Sequence, residues 1–217
     1  MEKKAPIIYD KNTVEFVTVA AECCGFLEKS PHSSRRKFLD TSLKLLPLLY
    51  LKASLLSPVE RMDESEPETF VTEGDYERVR AGVASVLREH DDYLDVFVED
   101  MAYSDTPIRQ TISENMADIY QSLKDFVCVY ELGLDRTMND ALLLCEEQFR
   151  ECWGQRLLNA MRALHDVRYG VAAMEEEEED MDYDVPDDSV LYDGLDMGED
   201  DGQKVGEDDG NGDRWEF

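Results

Sequence analysis

Basic residues are scarce in this 217-residue chain: 22 Lys and Arg stand against 51 Asp and Glu, for a formal net charge of −29. Phosphate binding rests on Lys and Arg, so this balance argues against nucleic acid and anionic membrane surfaces as partners. Long apolar runs are missing as well. The greasiest stretch, residues 45–56, is interrupted by Pro47 and Lys52 and falls short of the roughly 20 residues a membrane span needs. Residues 1–6 carry Lys3 and Lys4 with no apolar run and small-residue cleavage site behind them, so the expected location is cytoplasmic.

Patterned metal and phosphate motifs are absent too. A carboxylate di-metal bundle needs Glu-x-x-His pairs on facing helices, and the sequence contains none. Cys-x-x-Cys spacing does not occur, and His32, His90 and His165 are scattered, so neither a metal site nor a cofactor is expected. Glycine-rich phosphate loops are lacking, the glycines gathering instead among acids near the C-terminus. The five cysteines, Cys23, Cys24, Cys128, Cys145 and Cys152, sit among apolar residues at helical spacing. They read as buried small hydrophobes in a reducing compartment, where burial makes a thiol inert.

What is present divides unevenly at about Met174. Residues 175–217 hold 20 acidic residues against Lys204 and Arg214, a net of −18, which leaves −11 for the rest. Residues 1–173 therefore read as a helical bundle domain, and residues 174–217 as an acidic tail too polar to order itself alone. Its end places Trp215 and Phe217 where they could anchor in a partner's groove. A body of this length hides roughly 68–70% of its unfolded surface, enough for one core.

The body reads as all-α, a compact bundle of about five to six helices. Asn12 with Glu15 makes a capping box for a first helix to about Lys29, with Val14, Val17, Ala20, Ala21, Cys24 and Leu27 inward. Residues 34–56 form the next helix, and it alone shows two apolar stripes: Phe38, Ser42, Leu45, Leu46, Leu49, Ala53 and Leu56 on one side, Leu48, Leu51 and Leu55 on another. Two apolar sides call for neighbours on both, so this helix is expected at the centre. Pro47 removes a hydrogen bond to Leu43, so a kink or break is expected near Leu46. Residues 57–74, acidic and proline-containing, read as a surface loop.

Thr72 with Asp75 opens a third helix whose inner face is Tyr76, Val79, Val83, Val86 and Leu87. Its pattern runs on through His90, Leu94, Phe97 and Met101, as one helix or as two pieces broken at Asp91 and Asp92. Thr111 with Glu114 opens a fourth, with Met116, Ile119, Tyr120, Leu123, Phe126, Val127 and Tyr130 inward and Gly133 as its left-handed stop. Asp118, Gln121, Ser122 and Asp125 fall on the other side, read as solvated. Thr137 with Asp140 opens the last, with Leu142, Cys145, Phe149, Cys152, Trp153, Ala160, Ala163, Leu164 and Val167 inward. No alternating strand or hairpin stands out.

Three segments together, LKLLPLLYLKA (43–53), ISENMADIYQSLKDFV (112–127) and WGQRLLNAMRALHDV (153–167), resemble an uncharacterised, all-helical family of domains of unknown function found mainly in Bacteroidetes-type bacteria. The similarity covers roughly residues 13–167 and excludes the tail. It implies a fold class and a bacterial cytoplasmic setting, and it transfers no site.

No catalytic constellation emerges, but several polar residues lie near apolar faces. Arg156 projects from the seam between Cys152 and Ala160, where its stem snorkels to solvent or its guanidinium recruits a carboxylate. Lys44 and Lys52 flank the second stripe of residues 34–56, and His165 stands near the last helix's C-terminus, which favours a cation. Two functional readings follow. The first is a non-enzymatic protein-protein interaction module whose acidic tail contacts a partner's basic surface. The alternative is a small-ligand-binding or enzymatic bundle with a pocket near Pro47, drawing on Lys44, Lys52, Arg156 and His165.

Overall fold

The computed structural model describes residues 6–95 and 108–170. The acidic tail with Trp215 and Phe217, the proposed boundary at 173/174, and Phe97 and Met101 all lie outside the described residues. After a 3-10 turn at Ile7–Tyr9 come helices α1 (Lys11–Glu28), α2 (Arg35–Ser54) and α3 (Glu73–Leu87). A two-stranded ribbon follows, β1 (Asp92–Asp95) with β2 (Ile108–Thr111), and then α4 (Ile112–Glu131), α5 (Asp135–Gln148) and α6 (Gly154–Tyr169). The bundle is helical as expected. A π-helical turn at Phe149–Trp153 joins α5 to α6, so the last two helices form one continuous rod.

The helix starts follow local chemistry. Ser34 caps α2 by accepting the amide of Lys37, and Thr72 and Asp75 form a reciprocal capping box on α3. Thr111 caps α4 by accepting the Glu114 amide, and Gly133 follows at φ 71°, the left-handed stop. Two starts differ from expectation. Asp10, not Asn12, caps α1, and the helix buries Thr13, Phe16, Ala20, Cys23, Cys24 and Leu27 while Val14 and Ala21 stay outside. Helix α5 begins at Asp135 with no side-chain cap, because its N-cap position is Leu134; Thr137 and Asp140, expected to form the box, lie inside the helix, and Asp140 is buried and bonded elsewhere.

The centre of the bundle is α4, not α2. Eleven of its twenty residues are buried, and it packs against α1, α3, α5 and α6. In the core Phe16 lies 5.5 Å from Phe126 and stacks at 6.5 Å on Trp153, whose indole N–H donates to the Cys145 carbonyl at 3.1 Å. Helix α2 packs on α1 and α6 and meets α3 at its edge. It buries Phe38, Leu39, Ser42, Leu46, Leu49 and Ala53 only, and it passes through Pro47 as one helix rather than breaking there. Pro47 is exposed, on the side of α2 away from that buried stripe.

Helix α3 ends at Leu87 because Arg88 takes φ 53°, a conformation a helix cannot continue through. Neither helical alternative forms there: the helix has already ended at Leu87, and Asp92–Asp95 is a strand instead, Asp92 pairing with Thr111 and Asp95 with Ile108, antiparallel. Buried Asp91 locks the ribbon to α4. Its carboxylate accepts the Ser113 amide at 2.8 Å and the Ser113 hydroxyl at 2.6 Å, and its carbonyl accepts the Ile112 amide at 2.8 Å. Neither strand, DYLD nor IRQT, alternates apolar with polar residues, so no strand pattern registers in the sequence.

Residues 56–72 carry no regular structure, as a loop should. They are nevertheless a strap tied to the bundle. Both Asp140 oxygens accept strap amides, Met62 and Asp63, each at 2.7 Å. Asn139 donates to the Glu60 carbonyl at 2.7 Å, and Arg136 donates to the Met62 carbonyl at 2.8 Å. Further along, Asp125 on α4 accepts the amides of Phe70 and Val71 at 2.6 and 2.8 Å. The α4 side read as solvated therefore anchors a chain segment.

Candidate functional site

Helix α2 presents its second stripe to solvent. Leu48, Leu51 and Leu55 are 41%, 51% and 45% exposed, and at 100° per residue they share one face with Lys37 and Lys44. Exposed leucines scattered singly need no explanation, but three in one helical row make a patch of the kind that marks interaction sites. The row survives because α1 and α6 grip α2 from its flanks. On the α1 side Lys52 Nζ pairs with Glu15 at 2.6 Å and Asn12 donates to the Leu55 carbonyl at 3.2 Å. On the α6 side Arg168 Nε donates to Asp40 at 2.8 Å, and Tyr50 meets Phe149 edge to face at 5.2 Å.

A groove of about 410 Å³ runs between α2 and α6, walled by Leu43, Leu158, Met161, Arg162, His165 and Tyr169. His165 is thus the one residue of the sequence-derived pocket set that lines it. Lys44 and Pro47 are exposed on α2, Lys52 faces Glu15, and Arg156 is held in an ion pair with Asp118, which also accepts the Tyr76 hydroxyl at 3.0 Å. For Arg156 the carboxylate, not open solvent alone, receives the guanidinium. The five residues do not converge on one cavity. A second cavity, about 530 Å³, lies where the N-terminal turn, the strap and the start of α5 meet, and Ile7, Ile8, Val59, Arg61, Asp135 and Asn139 border it. Sequence reading missed it because its walls come from segments far apart in the chain.

Electrostatics of the described groups is that of structural pairs. Lys52 holds the Glu15 carboxyl below its ordinary range, and Arg168 does the same for Asp40. Burial opposes ionisation of Asp140, but the Met62 and Asp63 amides and Asn139 outweigh it and keep its pKa low. Burial pushes the Cys23 thiol up to about 12 and raises Cys24 and Cys145 as well. Cys128 and Cys152, expected inside, are half-buried instead. Among the described residues no group of three or more His, Cys, Asp or Glu side chains is placed to hold a metal ion, and no helix is long and apolar enough to cross a membrane.

The fold and its open face define a helical bundle domain, with one short ribbon, that leaves a helical row of leucines exposed. The chain matches the family described as Domain of unknown function (DUF5063) over residues 7–170, and it belongs to that family. It is similar to protein BF1032 from Bacteroides fragilis, a structural genomics target known from its crystal structure, at 53% identity and a TM-score of 0.68. That similarity covers 75% of this chain and 96% of the other. The family and the bacterial relative agree with the resemblance carried by residues 43–53, 112–127 and 153–167. No curated protein matches the chain, and the family is described as one of unknown function.

Proposed function

We propose that this chain is a non-enzymatic, cytoplasmic protein-interaction module that docks its partner on the outer face of α2. The exposed row Leu48, Leu51 and Leu55 carries the reading, since a helix gripped on both flanks still keeps three large aliphatic side chains in water. The acidic tail contributes a second contact, its carboxylates meeting a basic surface of the partner and Trp215 and Phe217 supplying apolar anchors. The test compares the full chain with its Leu48→Asn/Leu51→Asn variant as baits in extract of the native host. A protein retained by the first and lost by the second supports the module. Identical retention by both defeats the α2 face as the docking surface.

A second reading, small-ligand binding, is favoured by the α2–α6 groove, whose apolar walls and Arg162 and His165 suit an amphiphilic anion. Thermal-shift titration with medium-chain carboxylates, repeated on Met161→Trp to fill the groove, separates the two: stabilisation lost in that variant favours the ligand.

A further inference from the structure

Resting on the docking reading above, we propose that the occupant of the α2 face is an acidic amphipathic helix, with apolar residues over Leu48, Leu51 and Leu55 and carboxylates over Lys44 and Lys37. The spacing of the row argues for a helix. Positions 37, 41, 44, 48, 51 and 55 advance by alternate steps of four and three, which is the seam of a two-helix coiled coil. Read along that seam the residues are Lys, Thr, Lys, Leu, Leu and Leu, so a basic first half leads into an apolar second half over about 27 Å of helix. A facing helix inserts its apolar knobs among the leucines. Its flanking carboxylates then meet ammonium groups whose stems lie along the seam.

Charge selects the sign of that helix. Lys37 and Lys44 lie on the seam itself, while Arg35 is paired with Glu89 and Lys52 with Glu15; counted over its own residues α2 is net +4, whereas α1, α3, α4 and α5 are each net negative. The overall charge of −29 does not outweigh this, because salt screens charges beyond about 8 Å and a docking segment answers to the nearest ones. A second copy of the chain fits less well. In an isologous pair the same lysines return from the other side, basic face to basic face, and three part-exposed leucines fall short of the roughly 800 Å² per partner of a standard interface. A single helix laid along the seam needs no such area.

The experiment pans the full chain against a displayed library of helical peptides with leucine fixed at i, i+3 and i+7 and with acidic, basic or neutral residues allowed at the flanking positions. Only clones lost on the Leu48→Asn/Leu51→Asn variant are counted, which removes peptides drawn to acidic surfaces elsewhere. The proposal expects acidic flanks to dominate. It also expects the leading clone to weaken about tenfold or more on Lys37→Glu/Lys44→Glu, with helicity unchanged. Seam-dependent clones with neutral or basic flanks, or with affinity indifferent to the lysine reversal, overturn the acidic partner while leaving the docking face standing. No seam-dependent clone at all overturns both. Concentration-dependent dimerisation of the full chain, abolished by Leu48→Asn/Leu51→Asn, assigns the face to a second copy and likewise overturns the proposal.

Discussion

Helices α2 and α4 are both twenty residues long and both rich in apolar residues, yet α4 buries eleven of its twenty residues and α2 six. Each also has a second side. On α4 that side is polar, and it is covered: Asp125 takes two strap amides, and Asp118 takes Arg156 and the Tyr76 hydroxyl. On α2 the second side is leucine, and it is open. Apolar content therefore does not identify the central helix. A helix becomes central when its neighbours' apolar stripes converge on it, and carboxylates on its far side can serve as anchors for irregular chain, satisfying amides that a loop leaves unpaired.

The largest contrast comes from placing a charge on each helix. Leu123→Asp on α4 buries an unpaired carboxylate and should remove more than about 4 kcal/mol, unfolding the bundle, while Leu51→Asp on α2 should cost within about 0.5 kcal/mol. Thermal melts followed by far-UV circular dichroism read both; equal losses would show that the α2 row is covered after all. Leu49→Asp should behave like the α4 substitution, since Leu49 lies on the buried stripe of α2.

A smaller loss is expected where the strap is tied. Asp140→Ala leaves two strap amides without their acceptor and should cost about 2–3 kcal/mol, with faster amide exchange at Met62 and Asp63. Urea titration together with exchange checks it, and unchanged protection of those two amides would mean that the strap is held by other contacts. Gly154→Ala should cost about 1–3 kcal/mol for a related reason of proximity, because a Cβ there would sit 2.4 Å from the Phe149 carbonyl oxygen inside the π turn.

The pH dependence follows from the same anchor. The folded-state pKa of Asp140 lies below that of an unfolded aspartate, so in acid the unfolded chain binds more protons. Its contribution is complete above about pH 4, the ordinary aspartate value, and is lost as pH falls through the lower folded value. Urea midpoints measured downward from pH 7 should therefore decline on an acid limb that is shallower in Asp140→Asn; parallel limbs would count against the anchor. Least of all should thiol labelling disturb the protein. Cys128 and Cys152 should react with a disulfide reagent in the native state, and Cys23, Cys24 and Cys145 only on unfolding.

Much of the fold was legible from residues alone. Helical periodicity located the helices of the described residues, though it ran the third on through Leu94, which lies in a strand, and side-chain caps at Thr72 and Thr111 with Gly133 placed three boundaries. Asn12 and Thr137 misled because a capping motif is a local option that competes with others: Asp10 stands two residues earlier, and Asp140 is worth more as a buried acceptor than as a box partner. The ribbon was hidden because its pairing joins residues 13 to 19 apart through four-residue strands that do not alternate apolar with polar. Of the candidate site, the leucine row was read correctly as apolar and wrongly as internal. Of the five pocket residues, His165 lines the α2–α6 groove, while Lys52 and Arg156 are held in ion pairs with Glu15 and Asp118.

Composition, charge and periodicity by themselves determined that this chain is acidic, most strongly over residues 175–217, and mostly helical, because those properties are local and additive along the chain. Only tertiary structure decided which helix stands at the centre and which leucine row faces water. A helix wheel shows which residues share a side, but whether that side is buried depends on how many other helices arrive there. For α2 they arrive on the stripe of Phe38, Leu46 and Leu49 and on the flanks, and among the described residues none reaches Leu48, Leu51 and Leu55 closely enough to bury them.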